Sequence, residues 1–435
     1  MKTYQTALLL GYGRSGQAAE RMLQSEGTET VVLTRESSGD ADVAQVLRNR
    51  RFDICIVSPG FGLEHPWLRA VRDAGIPLLP ELELGWSRHR GRTVAVTGSN
   101  GKSTAVKWLC ETLRQDGCKA EIGGNYGVPA CEVVLDHPDM EWLVLEVSSF
   151  QLETVVDFRA DPAIVLNVLP NHLDRHGSME AYRRTKARIF GSSSVAGDAS
   201  LIPFESLDRF RQAVEGERNW VTFGTSPEAD FYFQEGKVLH DKKPVMDLSG
   251  TVFDSPIIGS CTGAAIAAFC ATSGVSSVAA ETAARAFQPL PHRVQRLGEI
   301  KGVLFVNDSK ATNLAALSAA LETCGNGIHL IAGGQPKESD YTFVKEILAE
   351  RVRSIYLIGQ ASQAMYLAWS GVCNCVECGT LEEAFNTAEN AARAGEIILL
   401  SPGCASFDQF RSFEERGDRF ETLFRDALQA GGDAL

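Results

Sequence analysis

A bilayer-crossing run is missing from this sequence: no stretch approaches the roughly 18 consecutive apolar residues that a transmembrane helix needs. A basic excess is missing too, since 42 Lys and Arg face 55 Asp and Glu, leaving a net charge of −13. That balance excludes general nucleic-acid binding, which requires a cationic surface to neutralise phosphates. It leaves room for small anionic ligands, because a few local cations reverse the field inside one cleft. The 11 cysteines are too scattered to form a disulfide framework, and reduced thiols fit a cytoplasmic compartment. Only Cys373, Cys375 and Cys378 cluster, without a second Cys/His group nearby to complete a tetrahedral metal set. There is no internal repeat and no low-complexity tract.

What is present is ordinary globular material. Hydrophobic residues make up 44% of the chain and charged residues 22%, enough apolar content for several cores and too little bias for disorder or a coiled coil. The opening MKTYQTALLLGYGRSG begins like a basic leader. Its apolar core, 7–10, is too short for a secretory signal and runs into a glycine turn, so a cytoplasmic protein is expected.

Short apolar runs that end in glycine alternate with amphipathic stretches along most of the 435 residues. Segments 6–10, 30–34 and 53–58 read as strands with a helix over 17–24, a βαβ unit that implies a parallel sheet. A second series starts at 93–97 and includes 142–147 and 163–168. A third comprises 303–306, 329–332, 354–358 and 397–400. Segment 192–258 suggests short antiparallel strands instead. The expectation is an α/β chain of three domains: a Rossmann-like domain at 1–90, a central P-loop domain at 91–290 with a parallel sheet plus a small antiparallel sheet, and a Rossmann-like domain at 291–435.

The strongest chemical signal is Gly98-Ser99-Asn100-Gly101-Lys102-Ser103-Thr104, between the strand TVAVT and a helical stretch. Glycines let successive backbone N–H groups and the helix N-terminus face a phosphate. Lys102 adds a cation, and a Ser103 or Thr104 hydroxyl can ligate Mg²⁺. The loop is shorter than the general GxxxxGK[ST] pattern unless Ala95 takes the first-glycine position. A second glycine turn, Gly11-Tyr12-Gly13-Arg14-Ser15-Gly16, is compatible with a bare structural turn, with another nucleotide's diphosphate, or with NAD(P). For NAD, an acidic residue is wanted at the end of the second strand, where Leu33-Thr34-Arg35 stands with Glu36 just beyond. Glu146 ends the strand WLVLEV, and His172 follows AIVLNV within NHLD. Both fall at the carboxyl edge expected for the phosphate-loop sheet, within reach of a phosphate-bridging metal. Further on, Arg293 is a candidate phosphate clamp and Asp308 a ribose or metal contact. Lys310, Thr312, Lys337 and Ser406 are candidates to receive an anionic substrate.

GSNGKST, GGNYGVPA, LEVSSFQLE, NHLDRHGSMEAYRRTKARIF, PHRVQRLGEI, NDSKATN and SPGCASFDQF, in this order, resemble the Mur ligase family over nearly the whole chain. NDSKATN with SPGCASFDQF points to its glutamate-adding branch, and the DNPR signature of the diaminopimelate- or lysine-adding enzymes is absent. The resemblance implies a monomeric, cytoplasmic ligase of peptidoglycan precursor synthesis that takes UDP-MurNAc-L-Ala, D-glutamate and ATP, with two Mg²⁺ sites. ATP would phosphorylate the substrate carboxylate, and the amine of D-glutamate would displace phosphate from the acyl phosphate. Lys102 would hold the ATP phosphates; Ser103 and Glu146 would hold one Mg²⁺ and His172 a second. Lys186 matches a lysine that the family carbamylates, which would turn a repelling ammonium into an oxygen ligand. Asn125, Arg293 and Asp308 would contact the nucleotide, and Ser148 and Gln151 the muramoyl substrate. Lys310, Lys337, Thr312, Ser406 and Phe413 would surround D-glutamate. Arg14, Ser15, Thr34 and Arg35 would lie near the UDP end.

The chain departs from that pattern in three places. Leu33 stands where many members carry an Asp that contacts uridine. Gly259-Ser260-Cys261-Thr262-Gly263 replaces an HNxxN stretch, removing an Asn expected near adenine. Gln335-Pro336-Lys337 is unusual for a GGxxK loop. A GTPase switch is the non-ligase alternative, through the DxxG-like Asp174-Arg175-His176-Gly177, but no NKxD motif accompanies it. A Rossmann dehydrogenase, another amino-acid-adding Mur ligase and a folylpolyglutamate-type ligase complete the alternatives.

Overall fold

The computed structural model describes residues 2–34, 42–191, 198–337 and 340–432. The chain forms two compact units: Met1–Val168 with Arg175–Phe287, and Leu169–Asp174 with Gln288–Leu435.

Two sheets build the first unit. The smaller runs β2-β1-β3-β4 and is wholly parallel, with β1 at Thr6–Leu10, β2 at Glu29–Leu33, β3 at Ile54–Val57 and β4 at Leu78–Pro80. Its first turn is the GxGxxG. Gly11 sits at φ 91°, where a Cβ would meet the Ser58 hydroxyl at 2.6 Å, and a Cβ on Gly16 would meet the Gly11 carbonyl at 2.4 Å. Close packing therefore accounts for two of the three glycines. The helix that follows spans Arg14–Ser25, three residues earlier at its start than the sequence pattern suggests.

The larger sheet has nine strands in the order β13-β12-β11-β10-β9-β8-β5-β7-β6. These are β5 (Arg92–Thr97), β6 (Ala120–Gly124), β7 (Trp142–Glu146), β8 (Ala163–Val165), β9 (Ala199–Pro203), β10 (Asn219–Gly224), β11 (Phe231–Gln234), β12 (Lys237–His240) and β13 (Lys243–Asp247). Side chains alternate across it: Val94 and Val96 join one core layer with Trp108 and Phe269, whereas Ala95 joins the other with Leu143 and Leu145. Burial on both faces explains why β5 and β7 are apolar almost throughout.

The short antiparallel strands expected from segment 192–258 are present in β11–β13, but as one end of the nine-stranded sheet. β9 and β10 are parallel to β8, and only the β11–β12 and β12–β13 pairs are antiparallel. All five strands extend the phosphate-loop sheet at one edge. Phe223, Phe231 and Phe233 join the same core as Val94, so the segment had apolar surface to bury against that sheet.

One helical stretch, Pro256–Ser273, has the length and composition of a membrane span, and 56% of it is buried. Ala264–Cys270 within it lie in the core with Val96 and Trp108, and core burial accounts for this apolarity. After a first turn at Pro256–Ile258 the stretch passes through a five-residue π-turn at Gly259–Gly263. A Cβ on Gly259 would meet the Phe233 ring at 2.4 Å, and one on Gly263 would meet Leu248 at 2.6 Å. The glycines at both ends of this departing motif are thus matched to large apolar neighbours.

The second unit carries one six-stranded sheet, β14-β15-β19-β16-β17-β18. Its strands are β14 (Gln295–Ile300), β15 (Val303–Asn307), β16 (Ile328–Gly333), β17 (Val352–Ile358), β18 (Asn374–Gly379) and β19 (Ile397–Leu400). β14 and β15 form an antiparallel pair and the other pairings are parallel. The cysteine triplet lies along and beside the edge strand β18; the thiols are free, and burial raises the pKa of each.

Candidate functional site

β5 is flanked by β7 and β8, and its carboxyl end runs into the Gly98–Thr104 loop. Gly101 caps the helix Lys102–Gln115 at φ 82°, a left-handed conformation that glycine adopts without Cβ strain. The first helical N–H groups lack intrahelical acceptors and supply donors for an anion. Lys102 Nζ folds over the loop and donates to the carbonyls of Gly98 at 2.8 Å and Ser99 at 3.0 Å. Ser103 Oγ donates to Glu146 Oε2 at 2.5 Å, and Asn125 Nδ2 donates to Glu146 Oε1 at 2.6 Å. Two expected site residues therefore meet on the carboxyl group of a third, brought together by β5, β6 and β7.

Ser103 and Glu146 offer hard oxygen donors, the chemistry that Mg²⁺ selects. This ion is commonly held by one or two carboxylates together with water and phosphate oxygens. No group of three His, Cys, Asp or Glu side chains gathers as a metal cluster among the described residues. The donor set fits a phosphate-bridging ion rather than an all-protein cage.

Lys186 comes from the helix Met179–Ala187 and is only 1% exposed. Its Nζ donates to the Gly98 carbonyl at 2.9 Å and the Thr97 hydroxyl at 3.3 Å, and lies 4.6 Å from the centre of the Tyr182 ring. Burial drives its pKa well below the usual lysine value, the Lys102 charge pushes the same way, and Glu146 opposes both. Tyr182 OH lies 3.2 Å from Ser99 Oγ.

The other first-unit candidates are spread over two sheets. Arg14 and Ser15 open a helix that lacks a side-chain N-cap bond, an arrangement suited to an anion. Thr34 follows β2; Arg35 lies outside the described residues. Leu33 is buried with Leu8, Leu10 and Val57, so its side chain serves the core. Ser148 and Gln151 bond to each other as a capping box for the helix Ser149–Leu152, with Gln151 Oε1 accepting from the Ser148 N–H at 3.0 Å.

His172 has a left-handed backbone, φ 55°, and its segment packs with the second unit. In that unit Asp308 is buried. Its Oδ2 accepts from Ser401 Oγ at 2.8 Å and its Oδ1 from the Val294 N–H at 3.1 Å. Burial pushes its pKa up to about 7, against those hydrogen bonds and the Arg293 and Arg416 charges. Lys310 Nζ lies 3.7 Å from the centre of the Phe413 ring, and Lys337 Nζ donates to Thr312 Oγ1 at 3.4 Å. Ser406 is buried. Expected residues thus pair up here as well: Arg293 with Asp308, Lys310 with Phe413, and Lys337 with Thr312.

Residues not singled out from the sequence hold these groups in place. Arg416 is fully buried and donates to Ser309 Oγ and to the carbonyls of Ser309, Cys404 and Ala405, joining the NDSKATN and SPGCAS loops. Arg175 forms a two-bond pair with Glu153 and also donates to the Pro59 and Phe61 carbonyls. Asn167 holds the phosphate loop itself. A polar residue closing the apolar run AIVL was the available signal for Asn167; for the two arginines, spacing gave none.

Residues 96–271 match the Mur ligase middle domain and residues 292–404 match the Mur ligase, glutamate ligase domain. Among curated relatives, UDP-N-acetylmuramoylalanine--D-glutamate ligase of Acidobacterium capsulatum is 37% identical, covering 96% of this chain and 95% of its own. The protein of the same name from Koribacter versatilis is 36% identical, covering 96% of each. The fold is similar to that of UDP-N-acetylmuramate-alanine ligase MurC from Thermotoga maritima, with a TM-score of 0.60 at 14% identity over 98% of this chain and 100% of that one. MurF from Acinetobacter baumannii gives a TM-score of 0.60 at 16% identity, covering 84% and 88%. With two family domains in sequence and relatives of this identity along nearly its full length, the chain belongs to the Mur ligase family.

Proposed function

We propose that the phosphate-loop sheet activates a carboxylate with ATP and that the second unit presents an amino acid to it. The chain is an ATP-dependent ligase of peptidoglycan precursor synthesis that adds D-glutamate to UDP-N-acetylmuramoyl-L-alanine. The observation that carries the division of labour is the convergence of Lys102, Ser103, Glu146, Asn125 and Lys186 around one helix N-terminus.

In the first step a carboxylate oxygen of the muramoyl-alanine attacks the γ-phosphorus, the bond to the bridging oxygen breaks, and ADP leaves. Lys102 and the helix N-terminus neutralise charge on the phosphates. In the second step the glutamate amine attacks the acyl carbon, a proton is lost, and phosphate departs as the amide forms. Phosphate is a far better leaving group than the oxygen of a free carboxylate, which is why ATP is consumed. When bound, Mg²⁺ supplies charge neutralisation between phosphate oxygens; Ser103 and Glu146 would hold it, and His172 is our candidate for a second ion.

Lys186 is proposed as a carbamate. Its buried, neutral-leaning amine has the lone pair that adds to CO₂, with loss of one proton, and the product is an oxygen donor beside the loop. Arg14, Ser15, Thr34 and Arg35 are assigned to the UDP end, and Ser148, Gln151 and Asn125 to the muramoyl part. Arg293 and Asp308 are assigned to the nucleotide. Lys310, Thr312, Lys337, Ser406 and Phe413 are assigned to glutamate, whose two carboxylates suit a pair of lysines. Three domains at 1–90, 91–290 and 291–435 then take one reactant each. We assign the protein as a cytoplasmic monomer acting on small molecules.

Phosphate release with UDP-MurNAc-L-Ala, ATP and Mg²⁺ tests the reading, comparing D-glutamate, L-glutamate, lysine and diaminopimelate. D-Glutamate is expected to drive release. No release with either glutamate isomer would overturn the assignment.

A further inference from the structure

We infer that Asn167 is the positioning residue of the phosphate loop and that Cys261, from the π-turn, supports the donor side of its amide. Asn167 lies just beyond β8, beside the loop that leaves β5. Its Oδ1 accepts from the N–H groups of both Ser99 and Asn100, each at 3.0 Å. Its Nδ2 donates to the Asn100 carbonyl at 3.1 Å and to Cys261 Sγ at 3.4 Å. Both donor and acceptor sides of the amide are thus in use. The Ser99 and Asn100 N–H groups are thereby turned toward the sheet, and the anion-facing donors come from the start of the helix at Gly101.

The two backbone N–H groups set the sense of this arrangement, and the thiol reinforces it. Cys261 donates its own proton to the Leu166 carbonyl at 3.4 Å, which leaves sulfur lone pairs toward Asn167. A flipped amide would set its NH₂ against two backbone N–H donors, a repulsive contact on the loop side. The π-turn is close enough to do this: a Cβ on Gly101 would lie 3.8 Å from Thr262 Oγ1. In this chain, then, the GSCTG segment supports the loop through the Cys261 thiol.

The inference rests on the reading that the loop takes ATP, and two readouts separate them: the rise in Tm on adding Mg-ATP alone, and KM for each reactant. Asn167→Ala should raise the KM for ATP at least about tenfold and shrink the ATP-dependent Tm rise, leaving the KM for D-glutamate unchanged. Cys261→Val, which keeps the volume and removes the acceptor, should raise the KM for ATP about threefold. Cys261→Ser, whose hydroxyl can both accept and donate, should bring it back to within about twofold of wild type. If Asn167→Ala does not fold, the Val and Ser variants decide. Equal changes in all three KM values, or a lowered basal Tm with the ATP response intact, would overturn the positioning role. Failure of the proposed function would look different: ATP would still raise Tm, with no glutamate-dependent phosphate release.

Discussion

In the first unit Lys186 is 1% exposed, donates to Gly98 and Thr97, and is driven toward the neutral amine by burial. In the second unit Lys310 lies over Phe413 at 3.7 Å and the exposed Lys337 reaches Thr312 at 3.4 Å. In the proposed function the same side chain is put to opposite uses. An exposed ammonium is a mobile point charge for an anion arriving from solvent, whereas a desolvated amine is poised for covalent modification. Arginine is divided in a parallel way. Arg14 is exposed at a helix N-terminus, while Arg416 is sealed inside the second unit and makes bonds to two loops.

The sharpest way to break this comparison is to remove the buried lysine. Lys186→Ala is expected to lower kcat by about 10³-fold, the scale seen when a preorganised electrostatic group is deleted. Added short carboxylic acids should restore part of the rate by supplying the missing oxygen ligand. Wild-type turnover in Lys186→Ala would remove Lys186 from the site. Loss of activity without rescue would leave it a structural amine.

Arg416 sharpens the other half. Arg416→Met keeps most of the side-chain length, but leaves Ser309 Oγ and the Ser309, Cys404 and Ala405 carbonyls without their buried donor. Hydrogen bonds to charged groups are worth about 1.5–3 kcal/mol each, and part of that is returned because the cation no longer has to be desolvated. A net loss near 3 kcal/mol is expected from urea unfolding, together with a higher KM for glutamate as the two loops loosen. An unchanged KM for glutamate would show that Arg416 supports the core alone.

Such differences also mark what the amino-acid sequence could reveal. The phosphate loop was legible because its chemistry is contiguous: Gly98 to Thr104 must sit together to wrap one anion. β5 and β7 were legible because burial on both faces forces a near-continuous apolar run. β4, β6, β14 and β18 were missed: β4 is three residues long, and the other three are partly exposed edge strands. Asn167 and Cys261 are 94 residues apart, and nothing in the spacing of an asparagine and a cysteine announces that they touch. The GSCTG departure was visible as a loss of family side chains, but its tie to Phe233 and Leu248 required the packing.

The smallest effect expected concerns buried carboxyls, of which each unit has one shifted to about 7: Glu81 in the first and Asp308 in the second. For Asp308 the raised pKa comes mainly from burial, and an unfolded aspartate titrates near about 4. Between those values the native state holds a proton that the unfolded state has released, so stability falls as pH rises and then levels off above the folded pKa. Glu81 follows the same sign: burial raises its pKa, and the Cys131 N–H donated to its carboxylate opposes that shift. Asp308→Asn should therefore flatten the decline between about pH 4 and 7 for the amides of β15 and β19, measured by hydrogen exchange, while the first unit keeps its own slope. Glu81→Gln should do the reverse. If Asp308→Asn leaves the β15 and β19 slope as it was, the carboxyl is ionised throughout, and the Arg293 and Arg416 charges outweigh its burial.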